Sequence, residues 1–267
     1  MDGTLLSSAH TVSEQNKHAV LAAVNQGVHV AITTGRLYHS AKLYGEEIGL
    51  NTPIISSNGA YIGDEKGNEI YKNTLTRDKL EPFLLQMKQH GLYWYAALQD
   101  RLVSVFEFPE TNVYVQANQK LPTEQQVKLE VVDSIETLFS NYDGDILKVA
   151  CMSDDETERL FEEKPHLKTA CPDLEIVSSW HNNFELLKDG SSKGKAVAQL
   201  ARYYNLDASE VMCLGDSEND LSMITYAGVG IAMGNATDEI KAASTFITAT
   251  NDEDGVAKAI EKFVLTK

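Results

Sequence analysis

Cysteine is scarce in this chain. Three residues in 267, Cys151, Cys171 and Cys213, are odd in number and far apart. They make no Cys-x-x-Cys pair and no Cys/His zinc spacing, which excludes a disulfide framework and makes a reducing, cytoplasmic setting the expectation. Positive charge is also short. Lys and Arg number 23 against 39 Asp and Glu, for a net charge of −16. Such a chain repels phosphate backbones, so no nucleic-acid partner is expected. No apolar run approaches the roughly 20 residues of a membrane-spanning helix, so no membrane partner is expected either. The seven histidines are scattered, with no His-Glu-x-x-His and no evident catalytic triad. Gly228, Gly230 and Gly234 miss the dinucleotide fingerprint, because the third glycine falls one residue late and no helix opens there. Internal repeats and low-complexity tracts are absent.

What is present is an ordinary globular composition, 43% hydrophobic and 23% charged, long enough for a large core or two domains. The most informative stretch is Cys213-Leu214-Gly215-Asp216-Ser217-Glu218-Asn219-Asp220. Residues 211–214 are a short apolar run of the kind that forms a buried strand, and Gly215 stops it. Three acids and an amide follow within five residues. Carboxylates at the carboxyl end of a buried parallel strand sit where open α/β sheets bind ligands. Converging acids repel one another, and a divalent cation with oxygen ligands, Mg²⁺ above all, relieves the repulsion. The plain alternative is a polar turn that caps the next helix.

Elsewhere the pattern alternates. Ser13 caps a helix carrying Ala19, Val20, Ala23 and Val24 at helical spacing, and Gly27 ends it. Residues 28–33 read as a strand, 40–48 as a helix and 53–56 as a strand, the signature of a parallel sheet. A hairpin over 61–71 and a helix over 77–89 come next. Strands are expected over 92–98, 101–106, 146–152, 175–180 and 184–187, with a helix over 156–163. This middle part reads as an α+β unit inserted into the first. Alternation then resumes, with a helix from Lys193, a strand over 228–232 and a last helix over 255–263. The expected organisation is therefore an α/β core, residues 1–76 and 185–267, split by an α+β insert over 77–184.

Four small groups fall at carboxyl ends of core strands or at a helix start beside them. They are Asp2 with Gly3 and Thr4, Thr34 with Gly35, Lys193, and Asp216 with Asn219. Each alone has an ordinary reading: a strand end, a solvated lysine, a helix cap. A lysine at a helix start opposes the helix dipole unless it meets an anion. Together the groups supply what phosphoryl transfer needs: carboxylates for a metal, an ammonium for phosphate charge, and hydroxyl, amide and backbone N–H donors.

Taken in order, Met1-Asp2-Gly3-Thr4-Leu5-Leu6, Thr33-Thr34-Gly35-Arg36, Ser57-Asn58-Gly59-Ala60, Ser192-Lys193-Gly194 and Gly215-Asp216-Ser217-Glu218-Asn219-Asp220 resemble the haloacid dehalogenase superfamily. The tail, Val229 to Ala236 and then Asn251-Asp252-Glu253-Asp254-Gly255-Val256, resembles its Cof-type sugar-phosphatase branch. The resemblance implies a Rossmann-like parallel-sheet core with an inserted α+β cap domain. It implies a Mg²⁺-dependent phosphatase acting on small phosphorylated metabolites, sugar phosphates in particular. On that resemblance Asp2 is the general acid and base and lends its main-chain carbonyl to Mg²⁺. Met1 offers its backbone N–H to phosphate, and Thr34 and Gly35 hold phosphate oxygens. Lys193 balances charge, Asp216 is the metal ligand and Asn219 contacts phosphate. Asp220 is assigned to orienting Lys193 or metal-bound water, and Asn58 lines the site without a named role.

The chain departs from the family pattern at its first motif. Relatives read Asp-x-Asp-Gly-Thr there, and the nucleophile would lie immediately before Met1, on an apolar strand in the middle of the sheet. The expectation is that the natural chain runs further upstream, and that the 267 residues alone turn over no substrate. Two other readings compete: a non-catalytic binder of phosphorylated metabolites, and a phosphomutase of the same superfamily.

Overall fold

The computed structural model describes residues 1–153, 158, 162, 164–165, 173–178 and 182–265. In chain order the elements are α1 (Glu14–Asn25), β1 (Ile32–Thr33), α2 (Tyr38–Glu47), β2 (Ile54–Ser56), β3 (Tyr61–Gly63), β4 (Glu69–Lys72), α3 (Arg77–Gln89), β5 (Tyr93–Ala97), β6 (Arg101–Ser104), α4 (Val113–Asn118), β7 (Lys128–Val131), α5 (Ile135–Tyr142) and β8 (Lys148–Met152). There follow β9 (Leu174–Val177), β10 (Asn183–Lys188), α6 (Lys193–Tyr203), β11 (Met212–Gly215), α7 (Leu221–Tyr226), β12 (Val229–Ala232), α8 (Asp238–Ala243), β13 (Phe246–Ile247) and α9 (Gly255–Ile260). Two compact units result. Unit 1 comprises Met1–Gly35, Tyr44–Tyr71 and Ser192–Lys267, and unit 2 comprises Arg36–Leu43 and Lys72–Ser191.

These borders differ from the expected ones. The insert was placed over 77–184, but β10 is the fifth strand of a six-stranded sheet, pairing with both β8 and β9, so it goes with unit 2. Residues 36–43 also join unit 2, because Leu37 is packed with Tyr95, Ala97 and Tyr114, and its N–H donates to the Tyr114 hydroxyl at 3.0 Å.

Unit 1 holds two sheets rather than one continuous parallel sheet. In the first, the order is β1-β2-β3-β4, with β1 parallel to β2 and β3 turning back antiparallel. In the second, β11, β12 and β13 are all parallel. β1 and β11 are each the edge of their sheet. An apolar cavity of about 610 Å³ is lined by residues 28–33 on one side and 211–214 on the other, with Met1 and Thr4 among its walls. The expected strand over 28–33 shrinks to two residues for a local reason. Its partner β2 starts only at Ile54, after Pro53, and the Thr52 hydroxyl caps the Val30 carbonyl instead of a ladder bond. Val28 is left exposed.

Helix starts in unit 1 follow capping chemistry. Ser13 accepts from the Asn16 N–H at 3.1 Å to open α1, and Ser192 accepts from Lys195 at 3.2 Å to open α6. The last helix passes its expected interior and continues to Leu265 in a wider turn.

Unit 2 is built on the sheet β7-β6-β5-β8-β10-β9, antiparallel except for the β6–β7 pair. Strand alternation splits its side chains. Trp94, Ala96, Val149 and Phe184 pack with Leu80, Leu84 and Leu138 from α3 and α5, whereas Tyr95, Ala97 and Ala150 pack on the other face. That second face also carries a buried ion pair, Lys148 with Glu185. Three elements escaped the sequence reading, α4, β7 and α5. The expected helix over 156–163 lies largely outside the described residues, as does Cys171. The strand expected over 175–180 is described as Leu174–Val177, its last two expected residues lying outside. Among the described residues no helix is long and apolar enough to cross a membrane.

Candidate active site

All seven residues singled out from the sequence, Met1, Asp2, Thr34, Gly35, Lys193, Asp216 and Asn219, belong to unit 1, and a ring of short contacts joins the segments that carry them. At one side lies the turn after Met1. Gly3 adopts φ +66°, a left-handed conformation that side chains resist, and it runs so close to the Asp216 carboxylate that any Cβ would collide with it. The next residue completes the junction: the Thr4 hydroxyl donates to Asp216 Oδ1 at 2.6 Å. Asn235, from the turn after β12, donates to the Gly3 carbonyl at 2.8 Å. The Met1 nitrogen sits 3.5 Å from the Thr33 carbonyl.

β11 delivers the acidic loop. Asp220 folds back so that its Oδ2 accepts from the Asp216 and Ser217 N–H groups at 2.8 and 3.2 Å. Its Oδ1 accepts from Lys193 Nζ at 2.5 Å, and both side chains are about 5% exposed. Burial opposes ionisation of Asp220, but the Lys193 charge and the donated hydrogen bonds outweigh it and hold the carboxyl below its ordinary range. The lysine is thus anchored at the first residue of α6, where the helix dipole alone would disfavour it.

The remaining stations meet through Asn58. Thr34 is buried, its N–H bonded to the Ile55 carbonyl at 2.9 Å and its carbonyl accepting from the Asn58 N–H at 3.1 Å. Asn219 Nδ2 donates to Asn58 Oδ1 at 3.0 Å. Asn58 is therefore the residue to which sequence reasoning assigned a place but no role. Ser217 and Asn235 were missed, and Thr4 was grouped with Asp2 but given no role of its own. Only the Thr4 position inside the first motif gave a signal, since a hydroxyl two residues after Asp2 can bond a facing carboxylate. The acidic run Asp252-Glu253-Asp254 immediately precedes α9. In part it is a clasp: Asp252 accepts from the Ser8 N–H at 2.8 Å, and Asp254 from the Ser13 hydroxyl at 2.5 Å.

The donor chemistry suits a hard divalent cation. Asp216 is a partly exposed carboxylate whose oxygens, among the described residues, accept from the hydroxyls of Thr4 and Ser217 at 2.6 and 2.7 Å, and Asp2 lies in the turn pressed against it. Among the described residues no three His, Cys, Asp or Glu side chains converge as a full cage. Mg²⁺ does not need one, because it keeps several waters and binds through one or two carboxylates.

Known proteins resemble this chain over nearly its whole length. The profile of the haloacid dehalogenase-like hydrolases matches residues 1–260. The 5-amino-6-(5-phospho-D-ribitylamino)uracil phosphatase YwtE of Bacillus subtilis is 32% identical over 279 residues, covering 99% of this chain and 96% of the relative. A solved haloacid dehalogenase-like hydrolase from B. subtilis superposes with a TM-score of 0.86 at 30% identity, over 98% of this chain and 97% of the other. A solved subclass IIB sugar phosphatase of the same superfamily gives 0.80 at 25% identity, over 100% and 97%.

Proposed function

Because this chain belongs to the haloacid dehalogenase-like hydrolases, and is a phosphomonoesterase by that descent, we propose that the cluster in unit 1 is its active site, acting with Mg²⁺ on small phosphorylated sugars or polyols. The observation that carries this reading is the chain of hydrogen bonds that joins Thr4 of the first motif to Asp216, the Asp216 N–H to Asp220, and Asp220 to Lys193. The names of the relatives support the substrate class, since one acts on a phosphorylated ribityl compound and another is a sugar phosphatase.

Each residue then has a task. Lys193, held by Asp220, neutralises charge on the phosphoryl oxygens. The Thr34 hydroxyl, the Gly35 and Met1 N–H groups and the Asn219 amide donate to the same oxygens. Asp2 gives its proton to the departing alcohol and afterwards takes one from the attacking water. Asp216 and the Asp2 main-chain carbonyl would hold Mg²⁺, which offsets the phosphate charge when bound. Selection among substrates falls to unit 2, the insert.

The attacking carboxylate belongs at the position immediately before Met1. The family's Asp-x-Asp-Gly-Thr motif supports this reading. The test compares the 267-residue chain with a version extended upstream by an apolar strand ending in Asp. Aryl phosphate and Mg²⁺ are supplied, and free phosphate is measured. The expected result is turnover by the extended protein alone. Steady phosphate release by the 267 residues would defeat the assignment of the nucleophile. Absence of release from the extended protein would favour a non-catalytic binder, and transfer between hydroxyls without release a mutase.

A further inference from the structure

We propose that Asn58 is a positioning residue that fixes the orientation of the Asn219 side chain, and so decides whether that amide presents N–H or oxygen to a phosphate. The proposal rests on the phosphate-binding role assigned to Asn219 above.

Asn58 and Asn219 come from different sheets of unit 1, one from the turn after β2 and the other from the turn after β11. A side-chain hydrogen bond joins them, Asn219 Nδ2 donating to Asn58 Oδ1 at 3.0 Å, with both residues buried. An amide has two N–H donors on one end and an acceptor on the other. Holding one N–H on Asn58 turns the donor end toward the site and leaves the second proton for an anion. Without Asn58 the group can flip and present its carbonyl oxygen, which repels phosphate.

The turn that carries Asn58 is shaped for this contact at some expense. Ser57 and Asn58 are consecutive non-glycine residues with φ 47° and 54°, in the left-handed region that a Cβ disfavours. Three neighbours hold them there. The Asn58 N–H is bonded to the Thr34 carbonyl at 3.1 Å. Gly35 leaves room for the amide, since a Cβ on it would come within 2.9 Å of Asn58 Oδ1. Gly59 lies against the carbonyl of Ser192, the cap of the helix that begins with Lys193. Glycine at position 58 would relieve the strain while deleting the amide. One turn therefore touches the Thr34, Lys193 and Asn219 stations together.

The test uses the full chain with ¹⁵N-labelled asparagine and the variants Asn58→Gly, Asn58→Asp and Asn219→Ala. Asn58→Gly keeps the left-handed backbone without the oxygen, and Asn58→Asp keeps an acceptor there. The Asn219 side-chain NH₂ signal, identified by its loss in Asn219→Ala, is expected to be protected from exchange in the parent and in Asn58→Asp. In Asn58→Gly it should exchange like an exposed amide. Binding of inorganic phosphate with Mg²⁺ should weaken about 10- to 100-fold in Asn58→Gly and in Asn219→Ala, the range for a hydrogen bond to a charged group. The double variant should lose no more than either single one. An unchanged Asn219 signal in Asn58→Gly, or additive losses, would overturn the proposal. A parent protein that binds no phosphate would instead strike at the function assigned above, while the amide signal would still decide the positioning.

Discussion

Lys193 and Asp220 form a buried ion pair in unit 1, and each depends on the other. Removing one member of such a buried pair leaves an uncompensated charge, at about 3–5 kcal/mol. Asp220→Asn should therefore lower unfolding stability by that order, read from urea melts at pH 7. The sign of the pH effect follows from the depressed Asp220 carboxyl. A group whose folded pKa lies below its unfolded value of about 4 stabilises the fold above that value. The contribution is lost as pH falls below it and the folded carboxyl takes up its proton. The parent should lose stability more steeply than Asp220→Asn between pH 4 and 2, and parallel curves would contradict this. A second residue-scale expectation concerns Cys213, whose thiol burial pushes up to about 12. Site-resolved mass spectrometry after iodoacetamide treatment at pH 8 should find Cys213 unmodified in the folded protein, because the thiolate is the reactive form.

Among the elements, α5 is the instructive one, since sequence reasoning passed over it. Its signals were present. Ser134 accepts from the Thr137 N–H at 3.1 Å as an N-cap, and Ile135, Leu138 and Phe139 form a buried stripe. They were overlooked because an eight-residue helix offers little more than one period of a pattern. Ser134→Ala should cost about 1 kcal/mol by removing that cap, measured as a shift of the urea midpoint. α3 shows the opposite case. Its limits of Arg77–Gln89 were legible from thirteen residues of apolar spacing, even with Pro82 inside. The strand over 28–33 failed for a third reason. An apolar run is a strand only where a partner offers a ladder, and the partner β2 is three residues long.

For the molecule as a whole, charge is the dominant quantity. A net charge of −16 repels an anionic substrate at long range, and the site's cations act only over a few ångströms. For the catalytically competent protein, kcat/KM at saturating Mg²⁺ should rise, by roughly twofold, as monovalent salt goes from 10 to 150 mM and screens that repulsion. A fall over the same range would mean that a local positive field outweighs the global charge.

What the sequence determined alone was the list of parts. Asp2, Thr34, Lys193, Asp216 and Asn219 stand out because strands end at fixed signals, and polar residues just past a strand end share one edge of the sheet. Long periodic helices and their caps were legible for the same reason, being local in the chain. Only the tertiary structure decided how the parts meet. It brought Asn58 across 161 residues to Asn219, and Thr4 across 212 to Asp216. It also moved residues 36–43 into unit 2 and divided the core into two sheets. Those outcomes turn on which surfaces pack and which backbone edges find partners, and no spacing along the chain encodes a contact between segments so far apart.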